Sequence, residues 1–246
     1  MDFWGITDCG KVRRENQDVF KTFRDDEKGV AALVVCDGMG GVRAGNIASM
    51  MAAETFIRHM GECLGNTVDI DDAALEMSNA IYAANKAVYD KSMTDEDFAG
   101  MGTTLTAVIS LNDGEVVANV GDSRAYHITQ SAIKQITKDH TVVEDMVNRG
   151  DLTRAEARRH PKKNLITRAV GTSNEEVPDL FFLNLHPGEH VLLCSDGLTN
   201  LLMDSEILFE VQHEKCIRKC CEKLIETALS RGAPDNVTAV IFRRGE

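Results

Sequence analysis

Proline is scarce, with four in 246 residues (Pro161, Pro178, Pro187 and Pro234). No serine-, glycine- or proline-rich tract and no repeat appears, so composition offers no linker at which to divide the chain. No apolar stretch approaches the ~20 residues that a membrane-spanning helix needs. The N-terminal MDFWGITDCGKV has neither the basic start nor the apolar run of a secretory signal, and the expected location is cytoplasmic. Seven cysteines include no Cys-x-x-Cys pair, which removes the commonest zinc and redox spacings. Positive charge is in deficit: 27 Lys and Arg stand against 39 Asp and Glu, a net charge of −12. Duplex DNA, RNA and anionic membranes each favour a positive surface, so none is expected as the main partner.

What remains is an ordinary globular composition, 43% apolar and 27% charged, long enough to bury a sizeable core without staples. The whole chain, 1–246, is expected to form one domain. Strand-like runs occupy 3–7, 18–23 and 30–36. Two helical periods follow, one on Ile47, Met50, Ala53, Ile57, Met60 and Leu64, the other on Ala74, Met77, Ile81, Ala84 and Val88. Short strands are expected at 103–110, 116–120, 125–128 and 132–136, with Asn112-Asp113-Gly114 as a hairpin turn. Residues 138–171 are polar and partly helical. Strands return at 180–185, 191–194 and 237–242, and a helix with the stripe Ile217, Cys220, Cys221, Leu224, Ile225, Ala228 and Leu229 lies before the last. Tight turns between successive strands, with helices clustered and not alternating, indicate an α+β fold with mainly antiparallel sheets. Cys36 and Cys194 sit in apolar runs and are expected in buried strands. A metal site from His213, Cys216 and Cys220 is a minor alternative to Cys220 as a plain core residue.

Five aspartates stand at or beside strand ends. Asp37 closes VAALVVC (30–36), Asp196 follows HVLLCS (190–195), Asp235 precedes VTAVIF (237–242), Asp122 follows VVANVG (116–121), and Asp18 adjoins the second strand. Any one of them alone suits a turn. Together, strand-end carboxylates can converge on one sheet edge, where they repel one another unless cations intervene. Oxygen-rich sites of this kind suit Mg²⁺ or Mn²⁺.

Several other chemistries fail on single residues. Gly5-x4-Gly10-Lys11 resembles a P-loop, but Val12 occupies the place of the Mg²⁺-binding hydroxyl. Gly38-x-Gly40 opens like a dinucleotide fingerprint, but Arg43 replaces its third glycine. No cysteine has an arginine six residues on, no His-Glu-x-x-His occurs, and Gly121-Asp122-Ser123-Arg124-Ala125 is not a nucleophile elbow. Asp69-Ile70-Asp71 is expected to supply helix N-terminal charge.

Six motifs, in order, resemble those of the metal-dependent serine/threonine protein phosphatases of the 2C class in their bacterial form. They are TDCGKVRRENQD (7–18), CDGMGGVRAG (36–45), MGTTL (101–105), VGDSRAY (120–126), LCSDGL (193–198) and DNVT (235–238). The resemblance implies two antiparallel sheets packed face to face, with helices on both outer faces. It implies two Mn²⁺ or Mg²⁺ ions, with Asp37 bridging them. Asp196 and Asp235 would hold the first ion, and the Gly38 carbonyl the second, with Asp18 acting through water. Asp122 would serve a weaker third ion, and Arg13 would grip the substrate phosphate. On spacing alone Arg14 is an equal candidate; the family register selects Arg13. The implied activity is hydrolysis of phosphoserine and phosphothreonine in proteins by a metal-bridging water, without a covalent phosphoenzyme. Expected partners are phosphoproteins made by a bacterial-type serine/threonine kinase, and the expected state is a monomer. Residues 141–171 match a flap, with Arg149, Arg154, Arg158, Arg159, Lys162, Lys163 and Arg168 as candidate substrate contacts beside several acids. Gln17 stands where many relatives have Glu. Met39 stands where animal relatives place a proton-donating His, a role that Met cannot fill. Two alternatives remain open: a non-catalytic phosphoprotein-binding relative, and a hydrolase of small phosphate esters.

Overall fold

The computed structural model describes residues 1–41, 44–66 and 69–245. Val42 and Arg43, in the second motif and the dinucleotide comparison, lie outside the described residues. One sheet has the order β2 (Asp18–Asp25), β3 (Val30–Met39), β5 (Leu105–Leu111), β6 (Gly114–Val120), β9 (Asp179–Leu183), with the short β4 (Gly102–Thr103) also on β3. The second has the order β1 (Asp2–Asp8), β11 (Val237–Arg243), β10 (His190–Cys194), β7 (Arg124–Ile128), β8 (Ile133–Gln135). Every pairing is antiparallel, and Asn112 and Asp113 form the two-residue loop of the β5–β6 hairpin.

Alternation along the strands separates three apolar layers. Ala31, Leu33 and Val35 of β3 meet Val191 and Leu193 of β10 and Val240 and Phe242 of β11 between the sheets. The intervening Ala32, Val34 and Cys36 face the other way, onto α1 (Ala44–Cys63) and α2 (Ile70–Ser92). Leu192, Cys194, Ala239 and Ile241 face α5 (Asp196–Thr199), α6 (Asp204–His213) and α7 (Ile217–Ser230). The central strands β3, β5, β6, β10 and β11 are therefore buried almost throughout, covered on both faces, whereas the edge strands β1, β2, β8 and β9 keep exposed positions such as Trp4 and Phe182. Two sheets with helices outside each make the α+β sandwich that the motifs imply. Among the described residues, no helix is long and apolar enough to cross a membrane.

The stripe expected on α2 is buried as assigned, and Asp69 caps that helix by accepting from the N–H groups of Asp71 and Asp72. The stripe expected on α1 is borne out in part: Ala53, Met60 and Leu64 are buried and Ile47 and Ile57 pack against the core, but the buried face is centred on smaller residues. That face is Ala44, Gly45, Ala48, Ser49, Ala52, Ala53, Phe56 and Met60, whereas Met50 is 37% exposed. Small residues let α1 lie close to β2, β3 and α2, and bulk alone misplaced Met50. The α6 helix had no assignment in the sequence. Cys36, Cys194, Cys220 and Cys221 are buried. His213 instead stacks on Phe209 at 4.0 Å between ring centroids, Cys216 is exposed, and the three groups of the minor metal reading are not gathered.

The small-residue face makes a prediction. Ala52→Leu should lower unfolding stability by about 1–3 kcal/mol through overpacking. Met50→Ala should change it by no more than about 0.5 kcal/mol. Urea unfolding of both variants checks this, and the reverse ranking would return Met50 to the contact face.

Candidate metal centre

The antiparallel register explains how the aspartates meet. A strand that ends at one edge lies beside a strand that begins there. Asp18, at the start of β2, is the direct cross-strand partner of Asp37, near the end of β3. The same edge holds the start of β5 and the end of β6, where Leu105 pairs with Val120, two residues before Asp122. In the other sheet, the end of β10 lies beside the start of β11, with Cys194 opposite Ala239. That places Asp196, at the first turn of α5, and Asp235, just before β11, together.

Hydrogen bonds join the two sheets at this edge. Ser195 Oγ and Thr238 Oγ1 each donate to Asp18 Oδ2 at 2.7 Å. The Ser195 hydroxyl accepts in turn from the Thr238 N–H at 3.0 Å. The backbone of Asp37 is clamped from β4 and β5. Its carbonyl accepts from Thr103 Oγ1 and the Thr104 N–H, and its N–H donates to Thr104 Oγ1, all at 2.9 Å. The two threonines are structural. Gly38 follows, and a Cβ there would lie 2.1 Å from the Gly45 carbonyl oxygen, so α1 and β3 approach more closely than any side chain permits.

A third set of contacts fixes the loop that carries Arg13. Asn236, buried at 6% exposure, donates through Nδ2 to the carbonyls of Cys9 and Glu15 and accepts at Oδ1 from the Gln17 N–H. The guanidinium of Arg13 donates to Asp235 Oδ2 at 2.8 Å while its side chain remains 55% exposed. It sits at the rim of the acidic cluster with donors to spare. Asn236, Ser195 and Thr238 were not singled out as site residues, because their partners lie up to 231 positions away. Only their place inside the quoted motifs hinted at a role.

The electrostatics are those of a site built for cations. Burial raises the Asp37 pKa well above the carboxylate range, and the charges of Asp18, Asp196, Asp122 and Asp235 raise it further. Burial also raises Asp18 to about 6, against the opposing hydrogen bonds from Ser195 and Thr238. Asp122 is raised to about 8 by burial and then by Asp196 and Asp139. Asp196 is raised by burial and by Asp235, opposed by the Asn200 Nδ2 hydrogen bond to its Oδ2 at 2.9 Å. Asp18 Oδ1 is buried with no hydrogen-bond partner among the described residues. An orphaned carboxylate oxygen among mutually repelling carboxylates fits a hard divalent cation, whose coordination is made of oxygens.

Beside this edge lies a cleft of about 820 Å³, with Asp122 and Asp196 in its wall together with Arg154, Arg158, Lys163 and Met203. The 141–171 segment covers it with α3 (Val142–Asn148) and α4 (Arg154–Ala157) and is tied at its base by bridges Thr141–Ile166 and Thr103–Val170. Much of its positive charge is neutralised locally. Arg149 pairs with Asp151, Arg154 with Glu144, Arg158 with Asp204, and Arg168 with Glu176 and Asp179. Lys163 Nζ donates to Asn200 Oδ1 at 2.7 Å. Met39 is half-buried at the end of β3.

Comparison with known proteins bears on this geometry. The profile of the family described as Protein phosphatase 2C matches residues 9–232. Protein phosphatase PhpP of Streptococcus pneumoniae is 34% identical over 248 residues, covering 100% of this chain and 98% of the relative. The crystal structure of serine/threonine phosphatase Stp1 from Staphylococcus aureus superposes with a TM-score of 0.93 at 34% identity, covering 100% of this chain and 95% of that one. The catalytic domain of serine threonine protein phosphatase PstP, solved in complex with 2 manganese ions, gives 0.86 at 32% identity, over 100% and 98%. The profile match over residues 9–232, with full-length relatives 34% identical and the same sandwich, places this chain in the protein phosphatase 2C family of metal-dependent serine/threonine protein phosphatases.

The raised carboxylates give a pH prediction with a definite sign. Asp18 and Asp122 start from 3.8 unfolded and reach about 6 and about 8 in the folded, metal-free protein. Between those limits the folded state holds protons that the unfolded chain has released, so stability falls as pH rises. Mn²⁺ should therefore raise the thermal midpoint more at pH 8 than at pH 5. Calorimetry with and without Mn²⁺ measures this, and a larger rise at pH 5 would contradict it.

Proposed function

We propose that residues 1–246 act as one catalytic domain that removes phosphate from serine and threonine in proteins, using Asp18, Asp37, Gly38, Asp196 and Asp235 to hold two Mn²⁺ or Mg²⁺ ions and Asp122 to hold a weaker third. The observation that carries this reading is the meeting of five aspartates from two sheets around a buried, unpartnered carboxylate oxygen. Such ions, when bound, lower the pKa of a shared water toward neutrality and offset charge on the phosphoryl group.

The chain's own residues do the rest. Asp37, gripped at both its N–H and its carbonyl, would present its carboxylate to the ions from a fixed backbone. Ser195 and Thr238 hold Asp18 Oδ2 and leave Oδ1 for a cation or its water. Asn200 fixes Asp196, and Asn236 fixes the loop that presents Arg13. A planar guanidinium with free donors at the rim suits a phosphate, which it can grip through two parallel hydrogen bonds. The Ser195 and Thr238 hydroxyls in the acidic cluster's hydrogen-bond network are buried and donate to Asp18, away from any substrate, which supports attack by water without a covalent phosphoenzyme. Met39 cannot supply the leaving-group proton, so a water or another group must.

The cleft beneath the flap is wide enough for the polypeptide flanking a phosphorylated residue, which favours proteins over small esters as substrates. Retention of all five aspartates speaks against a purely binding role. The substrates we assign are products of a bacterial-type serine/threonine kinase, met in the cytoplasm by a monomeric enzyme.

Asp37→Asn and Asp196→Asn should each lower turnover of a phosphothreonine peptide about a thousandfold or more, as should chelator. Arg13→Ala should lower kcat/KM by about 10–100-fold, the worth of a charge-assisted contact, with Arg13→Lys only partly restoring it. Metal-independent turnover, or full activity in Asp37→Asn, would defeat the assignment. Turnover of p-nitrophenyl phosphate with none of the peptide would favour the small-ester reading.

A further inference from the structure

A second cluster of metal-type donors lies on the outer helical layer, away from the aspartates. His59 and Cys63 are one turn apart on α1, and Glu76 comes from α2, which packs along it. One donor atom from each lies within 4.8 Å of both others. His59 Nε2 and Glu76 Oε2 are 2.9 Å apart, and His59, with Cys63 and Asn79 beside it, holds the Glu76 carboxyl below its usual pKa. We propose that His59, Cys63 and Glu76 form a separate site for a thiophilic divalent cation of the Zn²⁺ kind.

The donor set decides the class of ion. The aspartate centre offers only oxygen, which suits Mg²⁺ and Mn²⁺. One imidazole nitrogen, one thiolate sulfur and one carboxylate oxygen suit Zn²⁺ or Co²⁺. Ordinary zinc bond lengths at tetrahedral angles place such donors about 3.3–3.6 Å apart. The present cluster needs only side-chain adjustment to reach that, with a water completing the four. His59 and Glu76 side chains are 26% and 31% exposed, so an ion can enter without unfolding.

Proton balance is straightforward. Burial and the negative charge of Glu76 and Glu62 hold a proton on Cys63. On binding, the thiol releases that proton to solvent, and His59 carries its proton on Nδ1, leaving Nε2 as donor. The ion would tie the end of α1 to α2. At 1.5 Å per residue, Cys63 lies about 27 Å along α1 from Gly45, which packs against Gly38. The site therefore acts on the helical layer and not on the phosphoryl group.

Co²⁺ titration of the full-length protein reads the site without relying on activity, because only a thiolate ligand gives a near-ultraviolet sulfur-to-cobalt charge-transfer band. The band should saturate at one Co²⁺ per chain and disappear when Zn²⁺ is added. It should vanish in Cys63→Ser, require about tenfold more Co²⁺ in His59→Ala and Glu76→Gln, and persist in Asp37→Asn. Unchanged Mn²⁺-dependent turnover in Cys63→Ser would show that this variant is folded. Absence of the band in the wild-type protein would reduce the cluster to an ordinary His–Glu ion pair beside a thiol. A band that survives in Cys63→Ser would place the thiolate elsewhere and overturn the assignment.

Discussion

Repulsion among carboxylates at one end of the two sheets is the constraint to which the rest of the structure answers. The register sets Asp18 opposite Asp37, and the crossing of the second sheet adds Asp196 and Asp235 to the same region. Left to itself, such a cluster protonates or moves apart. Three apolar layers hold it in place, because sliding any strand to separate the charges would turn its buried faces out of register. Stability stored in the core is thus spent at the edge, and a divalent cation recovers it.

Neutral polar groups do the fine placement. Thr103 and Thr104 hold the backbone of Asp37, Ser195 and Thr238 hold one oxygen of Asp18, and Asn200 holds one oxygen of Asp196. None adds charge of its own, so each orients a carboxylate without competing for the cation. The flap is governed differently. Its arginines are largely paired with neighbouring acids, so the cleft presents a mixed surface and not a uniformly basic one.

The strands and the five aspartates were legible because strongly apolar runs and strand-end acids are local features. Hidden from the sequence were features whose meaning depends on distant partners. Asn236 stood in the sequence only as one letter of the DNVT motif, yet it clamps a loop more than 200 residues away in sequence. The contact face of α1 was legible only in part because Ala, Gly and Ser carry little hydrophobic signal, although close approach of helix to sheet depends on them. The choice of Arg13 over Arg14, open on spacing alone, is accompanied in the structure by the Arg13 contact with Asp235.

The pairing of β1 with β11 joins segments more than 220 positions apart, and the same seam carries Thr7 to Thr238 and Arg13 to Asp235. A chain emerging from the ribosome can form the β5–β6 hairpin early, since its two strands are neighbours. The acidic edge cannot close until β11 has been made and has slipped between β1 and β10. High sequence separation slows such closure, and the entropy of the intervening loop is paid before its contacts form. The loop that carries Arg13 and the acidic edge therefore come into being together, late, and in one step.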